Sequence, residues 1–472
     1  MRELTLTLDD VRVAKSSIHA RYLIDDLAFS NTIWFGDIDF RLLSERYGEE
    51  FINAIAFHIA AFELNKIASL RPTRLDWGRY NRFVTVDFKI LWTTIFKNVW
   101  AQWRFENNDP NYFGPAFEAS SDPVKISPAK PNAGPQEVLA FCGGGKDSLV
   151  AMKTLEEIGA TYDSLVYSAS FYGTSKPQHQ LISKLLVHVD PKQQRRQWVA
   201  DDFIDFPVLQ LRPEFKVATI TAAETPSSVF NALPYALQYG YRYFCFAHER
   251  SADAGQVFWS AIGEDVNHQW GKSFEAEKLI NGYIARTLVA DFDYFSILKP
   301  IYDMAIFGKL RSYGSAVPAT HSCNVAKPWC RRCAKCLYVW LGYAAFLDPG
   351  IVKETFGDEN LLDVEENVFL FRQLVGLEDQ LPFECIGEAK EAAFYLAMCQ
   401  KRGYRGRALD ACQGAIAKLD KDAILKRYLA FDFKDANIPT KWQDALRRTF
   451  SSNADETRAF IQSLWRSIST HE

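Results

Sequence analysis

One short run constrains this chain more than any other. Residues 141–150 read FCGGGKDSLV, behind the apolar lead-in Val138, Leu139, Ala140 and Phe141. Leu149, Met152 and Leu155 then recur at helical spacing. The pattern predicts a strand, a tight glycine turn and a helix that starts at the turn. Glycines reach positive φ and let the backbone approach a ligand closely. The first amides of the helix point outward, where the dipole favours an anion. Lys146 adds a cation and Ser148 a hydroxyl, so Gly143, Gly144, Gly145, Lys146, Asp147 and Ser148 read as a phosphate cradle. The spacing is not that of a Walker A loop, G-x-x-x-x-G-K-[ST]. Asp147 supplies a carboxylate for hydrogen bonds or a magnesium ion. An unliganded glycine turn is disfavoured by the six-residue length of the motif and its strand-to-helix setting.

Strand candidates follow at residues 164–170, 208–211 and 243–247, alternating with helical stretches. This predicts an α/β fold with a parallel sheet covered by helices on both faces. In such sheets ligands collect at the carboxyl ends of strands, where strand order reverses. Before the loop, residues 1–118 read as an N-terminal α+β domain. Leu4, Leu6 and Leu8, and Tyr22, Leu23 and Ile24, are strand-like, and residues 51–67 are helical. The aromatics between Trp77 and Phe117 fill a core or shape a substrate pocket. Residues 119–135 carry four prolines and form a linker. Residues 136–320 form the nucleotide-binding domain, 321–347 a cysteine segment, and 348–472 a helical region, with Ala392, Leu396, Ala397, Ile424 and Leu429 packing on the cysteine region.

A length of 472 residues suits two or three domains. A net charge of −4 and a pI near 6.1 argue against a general binder of nucleic acid or anionic membrane. The alternating, charged start MRELTLTLDDVRV is neither a signal nor a transit peptide, and no apolar run is long enough to cross a bilayer. Nine cysteines, four of them clustered, fit a reducing cytoplasm. Oligomeric state is left open.

Cys323, Cys330, Cys333 and Cys336 give C-x6-C-x2-C-x2-C, a spacing for one tetrahedral zinc. Four thiolates leave no open position, so the zinc is expected to be structural; an iron–sulfur cluster is the alternative. Cys142, Cys245, Cys385, Cys399 and Cys412 stand apart and read as small buried hydrophobes. Two segments are too polar for their setting. His248, Glu249, Arg250 and Ser251 follow a strand, and Asn267, His268, Gln269, Trp270, Gly271, Lys272 and Ser273 come soon after. Both are candidate parts of a site, against a salt-bridged helix start and a satisfied histidine.

The order GGGKDS resembles the pyrophosphate loop of the ATP pyrophosphatases, with Gly143 where that superfamily carries serine. The loop and cysteine spacing together are similar to the 7-cyano-7-deazaguanine synthase (QueC-type) group, which adenylates a carboxylate. A nearer resemblance is to the MurL-type family, UDP-N-acetylmuramoyl-L-alanyl-L-glutamate epimerases of peptidoglycan precursor synthesis. It rests on CGGGKDS at 142–148, ERSAD at 249–253, VNHQWGKSFEAE at 266–277, KCLYVWLGYAAFL at 335–347 and, more weakly, PFECIGE at 382–388. The resemblance implies an adenine-nucleotide hydrolase-like core, ATP and magnesium, a small nucleotide-sugar peptide substrate, and neither nucleic acid nor membrane. It implies inversion of a terminal L-glutamate through an acyl-adenylate, with release of AMP and diphosphate. Catalytic candidates are Lys146, Asp147, Glu249 and His268. Gly143, Gly144, Gly145, Lys146, Asp147 and Ser148 would hold the pyrophosphate, Tyr167 and Ser168 would border the adenosine, and Asp147 with Glu249 would position magnesium. Arg250, Ser251, Asn267 and Lys272 are candidates for the substrate. Rivals are a carboxylate-adenylating ATPase of the deazaguanine type, a tRNA-modifying enzyme and a non-catalytic ATP or zinc scaffold.

Overall fold

The computed structural model describes residues 3–204 and 223–466. A nine-stranded sheet runs through the molecule in the order β11-β8-β5-β6-β7-β3-β2-β1-β4. Its strands are β1 (Thr5–Val13), β2 (Ser17–Ile24), β3 (Leu27–Phe35), β4 (Arg74–Asp76), β5 (Val138–Cys142), β6 (Tyr162–Ala169), β7 (Gln194–Asp201), β8 (Tyr243–Phe246) and β11 (Asp293–Ser296). β9 (Val257–Trp259) and β10 (Glu264–Val266) form a separate two-stranded ribbon. From β11 to β7 all pairs are parallel. β3 joins β7 antiparallel, Asn31 opposite Asp201 and Phe35 opposite Gln197. The N-terminal strands therefore extend the parallel sheet instead of forming one of their own. The strand expected at 208–211 lies outside the described residues.

Residue alternation along β5 shows why this sheet divides the molecule. Leu139 and Phe141 enter the core shared with β1–β3, the helix Glu49–Glu63 and the helix Glu224–Tyr239. Val138, Ala140 and Cys142 enter the core built from the helix Lys146–Glu157, the helix Ala334–Phe346 and the C-terminal helices. All five β5 residues are buried, as expected of a strand covered on both faces. The helix Glu49–Glu63 tightens into a 3-10 segment, Leu64–Leu70, where a helix was expected through residue 67.

The last described helix, Thr440–Arg466, buries Trp442, Leu446, Phe450, Ala454 and Ile461, a stripe at helical spacing. It packs closely on the helix Asp303–Leu310: a Cβ on Gly308 would lie 2.1 Å from Thr457 Oγ1. Among the described residues, no helix is long and apolar enough to cross a membrane.

Strand order reverses at β5. β6 and β7 lie to one side, β8 and β11 to the other. The glycine turn leaves the carboxyl end of β5, so it opens into the crevice where α/β sheets bind ligands.

Candidate active site

The three glycines differ in what they allow. Gly144 has φ +88°, and a Cβ there would lie 2.0 Å from His321 Cε1. His321 N also donates to Gly144 O at 2.8 Å, so chain from the cysteine segment lies directly over the turn. A Cβ on Gly143 would meet nothing within 4 Å, so that position has room for a side chain. Gly145 caps the helix Lys146–Glu157 with no side-chain hydrogen bond. The first amides of that helix are thus without a capping side chain, as an anion site requires.

The turn opens into a cavity of about 270 Å³, lined on this side by Gly143, Gly145, Lys146, Asp147 and Ser148. Lys146 is 2% exposed. Its Nζ lies 2.5 Å from Asp147 Oδ1 and also donates to Asp303 Oδ1. Burial works against the ammonium, but the two carboxylates outweigh it and hold its pKa above the usual lysine range. Asp147 feels the same balance: burial is overcome by Lys146, and its pKa falls. Tyr338 OH donates to Asp303 Oδ2 at 3.0 Å and fixes that carboxylate from below. Tyr167, Ser168 and Tyr172 from the β6 end form another wall, with Glu224 and Thr225 from the start of the helix Glu224–Tyr239. Tyr172 OH donates to Glu224 Oε2 at 2.9 Å, and burial pushes the Glu224 carboxyl up to about 6.

The two polar segments singled out in the sequence meet at Lys299. Its buried Nζ donates to Glu249 O at 3.1 Å and Lys272 O at 2.9 Å. Glu249 and Lys272 both line the cavity, as does His248. The Glu249 carboxylate accepts from Ser251 N, and burial followed by the nearby Asp303 drives its pKa well up. Arg250 and Asn267 face elsewhere. They line a separate, open groove of about 1100 Å³ that also carries Asp253, Glu264, Asp265 and Glu275. Arg250 packs over the Tyr302 ring, Asn267 donates to Ala252 O at 2.9 Å, and Ser251 Oγ donates to Glu391. His268 is buried behind the cavity, with Nδ1 2.6 Å from Gln102 Oε1.

Several residues that line the cavity escaped sequence reasoning as site residues: Asp303, Glu224, Lys327 and Cys385. Cys385 is the clearest correction. Cys142, Cys245, Cys399 and Cys412 are buried as expected, but Cys385 is half-buried and faces the cavity. Lys272 Nζ lies 2.7 Å from its sulfur. Burial raises a thiol pKa, yet here the Lys272 charge and a hydrogen bond with His268 prevail and hold Cys385 well below the usual range. The PFECIGE segment was the only sequence signal that pointed near it.

The four clustered cysteines bring their sulfurs within 4.8 Å of one another, a set that can hold a metal ion. Cys333 caps the helix Ala334–Phe346 and accepts from Cys336 N, so the positive end of the helix faces the thiolates. Amides of Val325 and Ala326 point at Cys323 Sγ, each at 3.3 Å. The cysteine turn is also part of the cavity. Asn324, Lys327 and Lys335 line it, and Ser322 packs over Gly145 with a buried Oγ that has no hydrogen-bond partner.

Comparison with known proteins finds one family. The MurL N-terminal domain matches residues 225–297, which carry Glu249 and Lys272, and the MurL C-terminal domain matches residues 318–422, which carry the four cysteines and Cys385. Three curated relatives are named UDP-N-acetyl-alpha-D-muramoyl-L-alanyl-L-glutamate epimerase. The one from a Micromonospora species is 28% identical over 65% of this chain and 66% of its own length. The Salinispora tropica protein is 26% identical over 67% of each chain. The Xanthomonas oryzae pv. oryzae protein is 29% identical over 62% of this chain and 60% of its own. The matched segment thus spans about two thirds of the length of these relatives. With both domain models matched in order and three relatives of one kind, the chain is similar to the MurL-type family over these segments.

Proposed function

We propose that this protein inverts the terminal L-glutamate of UDP-N-acetylmuramoyl-L-alanyl-L-glutamate to D-glutamate, using ATP and releasing AMP and diphosphate. The observation that carries the reading is one cavity at the strand-order reversal. It joins an uncapped helix start and Lys146 to a cluster of lysines, carboxylates and a thiol. The names of the relatives supply the substrate. We place the reaction in the cytoplasm, where the nucleotide-linked substrate would be made.

The chemistry needs both halves of the cavity. Taking a proton beside a free carboxylate would put a second negative charge on the same atoms. Joining that carboxylate to AMP removes its charge and makes the α-proton far more acidic. The amides after Gly143 and the Lys146 ammonium would hold the leaving diphosphate. Asp147, with Glu249, would position magnesium there. Tyr167 and Ser168 would border the adenosine, and Lys272 and Lys335 would meet substrate carboxylate. Proton transfer at the α-carbon then inverts the centre, and hydrolysis of the adenylate ends the cycle.

For the metal centre we propose zinc. A tetrahedron with Zn–S bonds of about 2.3 Å has edges of about 3.8 Å. Cys323 and Cys333 sulfurs lie 3.9 Å apart, and Cys330 and Cys336 sulfurs 3.8 Å. Thiolates on separate irons of a cluster need a wider set. The ion would cross-link the wall that carries Asn324, Lys327 and Lys335, and take no part in the chemistry.

The reading is tested by following ATP products with and without the peptide substrate. AMP and diphosphate appearing only with substrate support it, whereas ADP and phosphate contradict it. AMP without any change at glutamate would favour a carboxylate-adenylating ATPase of the deazaguanine type.

A further inference from the structure

Inversion of a carbon centre needs a group that removes the α-proton, and the sequence offered His268 and Glu249 for proton transfer. The structure places His268 behind the cavity wall. Gln102 Nε2 donates to Glu106 Oε1 at 2.8 Å, so Gln102 turns its oxygen to His268 Nδ1. An amide oxygen only accepts, so Nδ1 carries the proton, and the hydrogen bond between the ring and Cys385 falls to Nε2. What stands in front of His268 is the Cys385 sulfur, 2.7 Å from Lys272 Nζ. Cys385 and Lys272 both line the cavity that holds the glycine turn. Lys335 Nζ donates to Cys385 O and fixes the backbone at that point.

This is the layout of an activated thiol: a sulfur at a cavity surface, an imidazole behind it to take its proton, and an ammonium beside the resulting anion. We propose that Cys385 is the side chain that removes the α-proton of the bound glutamate, with His268 and Lys272 positioning and charging its sulfur. The inference rests on the epimerase reading above. The thiolate takes the proton and forms S–H, and the C–H electron pair moves into the activated carbonyl as an enolate. Glu249, which lines the same cavity, returns a proton to the other face, and C–H is re-formed with inverted configuration. The cysteine proton then leaves through His268 to solvent, and Glu249 regains a proton from solvent, which restores both groups. No oxidant or reductant is needed.

The test compares wild-type protein with Cys385→Ala and Cys385→Ser in deuterated water, with ATP, magnesium and the peptide substrate. Deuterium entry at the α-carbon and D-glutamate should both fall by about 10³-fold, the scale of a lost general base, while AMP release falls by less than tenfold. Epimerisation by Cys385→Ala at a rate near wild type overturns the role. AMP release falling as far as deuterium entry overturns it too, because Cys385 would then only shape the wall. A second arm does not depend on turnover. Iodoacetamide should label Cys385 in the native protein before Cys142, Cys245, Cys399 or Cys412, and Lys272→Ala should slow that labelling about tenfold. Labelling no faster than at the buried cysteines contradicts the inference. Wild-type protein that makes no D-glutamate refutes the epimerase reading, and the base role with it. Wild-type epimerisation with an active Cys385→Ala refutes the inference alone.

Discussion

Two lysines are buried to the same degree in this molecule, and their surroundings separate structure from chemistry. Lys66 and Lys146 are each 2% exposed and each meets two carboxylates. Lys66 lies 2.5 Å from Glu63 and 3.8 Å from Asp201. Glu63 also accepts from Asn31 at 3.0 Å and from Asn231 at 2.7 Å. That network ties the helix Glu49–Glu63 to β3, β7 and the helix Glu224–Tyr239, and Lys66 does not line the cavity. Lys146, Asp147 and Asp303 do line it, beside amides without a capping side chain. A buried ion pair alone is weak evidence for function. Space for a ligand next to uncapped donors is what marks the second lysine.

The comparison breaks first at Lys146. Lys146→Ala should lower AMP release and D-glutamate formation together by 10³-fold or more, with folding judged intact by circular dichroism. A variant that keeps AMP release would move the phosphate site elsewhere. Metal removal should follow in size. About one zinc per chain is expected by elemental analysis. Chelation should weaken ATP binding by calorimetry and raise hydrogen exchange around Asn324, Lys327 and Lys335, with β1–β3 unchanged. Lys66→Met acts on stability instead. It leaves Glu63 and Asp201 buried without their cation, at about 3–5 kcal/mol in urea unfolding, while activity per folded molecule stays near wild type.

Smaller changes sharpen the contrast within the Lys146 side. Gly144→Ala meets both a positive φ and the His321 ring, so about 1–3 kcal/mol of stability should be lost together with ATP affinity. Gly143→Ser has room and should be close to neutral in thermal unfolding. The smallest effect is in pH dependence. Burial, then the nearby Asp303, pushes Glu391 from 4.5 up to about 8. Between those values the folded protein holds a proton that the unfolded chain has released, so stability falls as pH rises through the window. Glu391→Gln should flatten that part of the stability profile.

What was legible in the sequence was decided locally. The glycine turn is set by consecutive residues, and so is the β5 strand in front of it. The four cysteines lie within one short segment that brings their sulfurs close enough to hold a metal ion. What was not legible arrives from far along the chain. Nothing near residues 31 or 201 says that β3 and β7 will pair, so the N-terminal strands gave no sign of joining the parallel sheet. Lys272 and Cys385 are 113 residues apart, and a cysteine read without its lysine looks like a small hydrophobe. Asp303 is 157 residues from the lysine it holds. Arg250 and Asn267 show the opposite limit. Their segments were singled out as polar, but the chain after β8 and after β10 carries them into a neighbouring groove.

The most direct test of the account is chiral analysis of the glutamate residue after incubating the protein with ATP, magnesium and UDP-N-acetylmuramoyl-L-alanyl-L-glutamate. D-glutamate formed in step with AMP is the predicted result. AMP formed while the residue stays entirely L, in protein that is folded and metal-loaded, would contradict it.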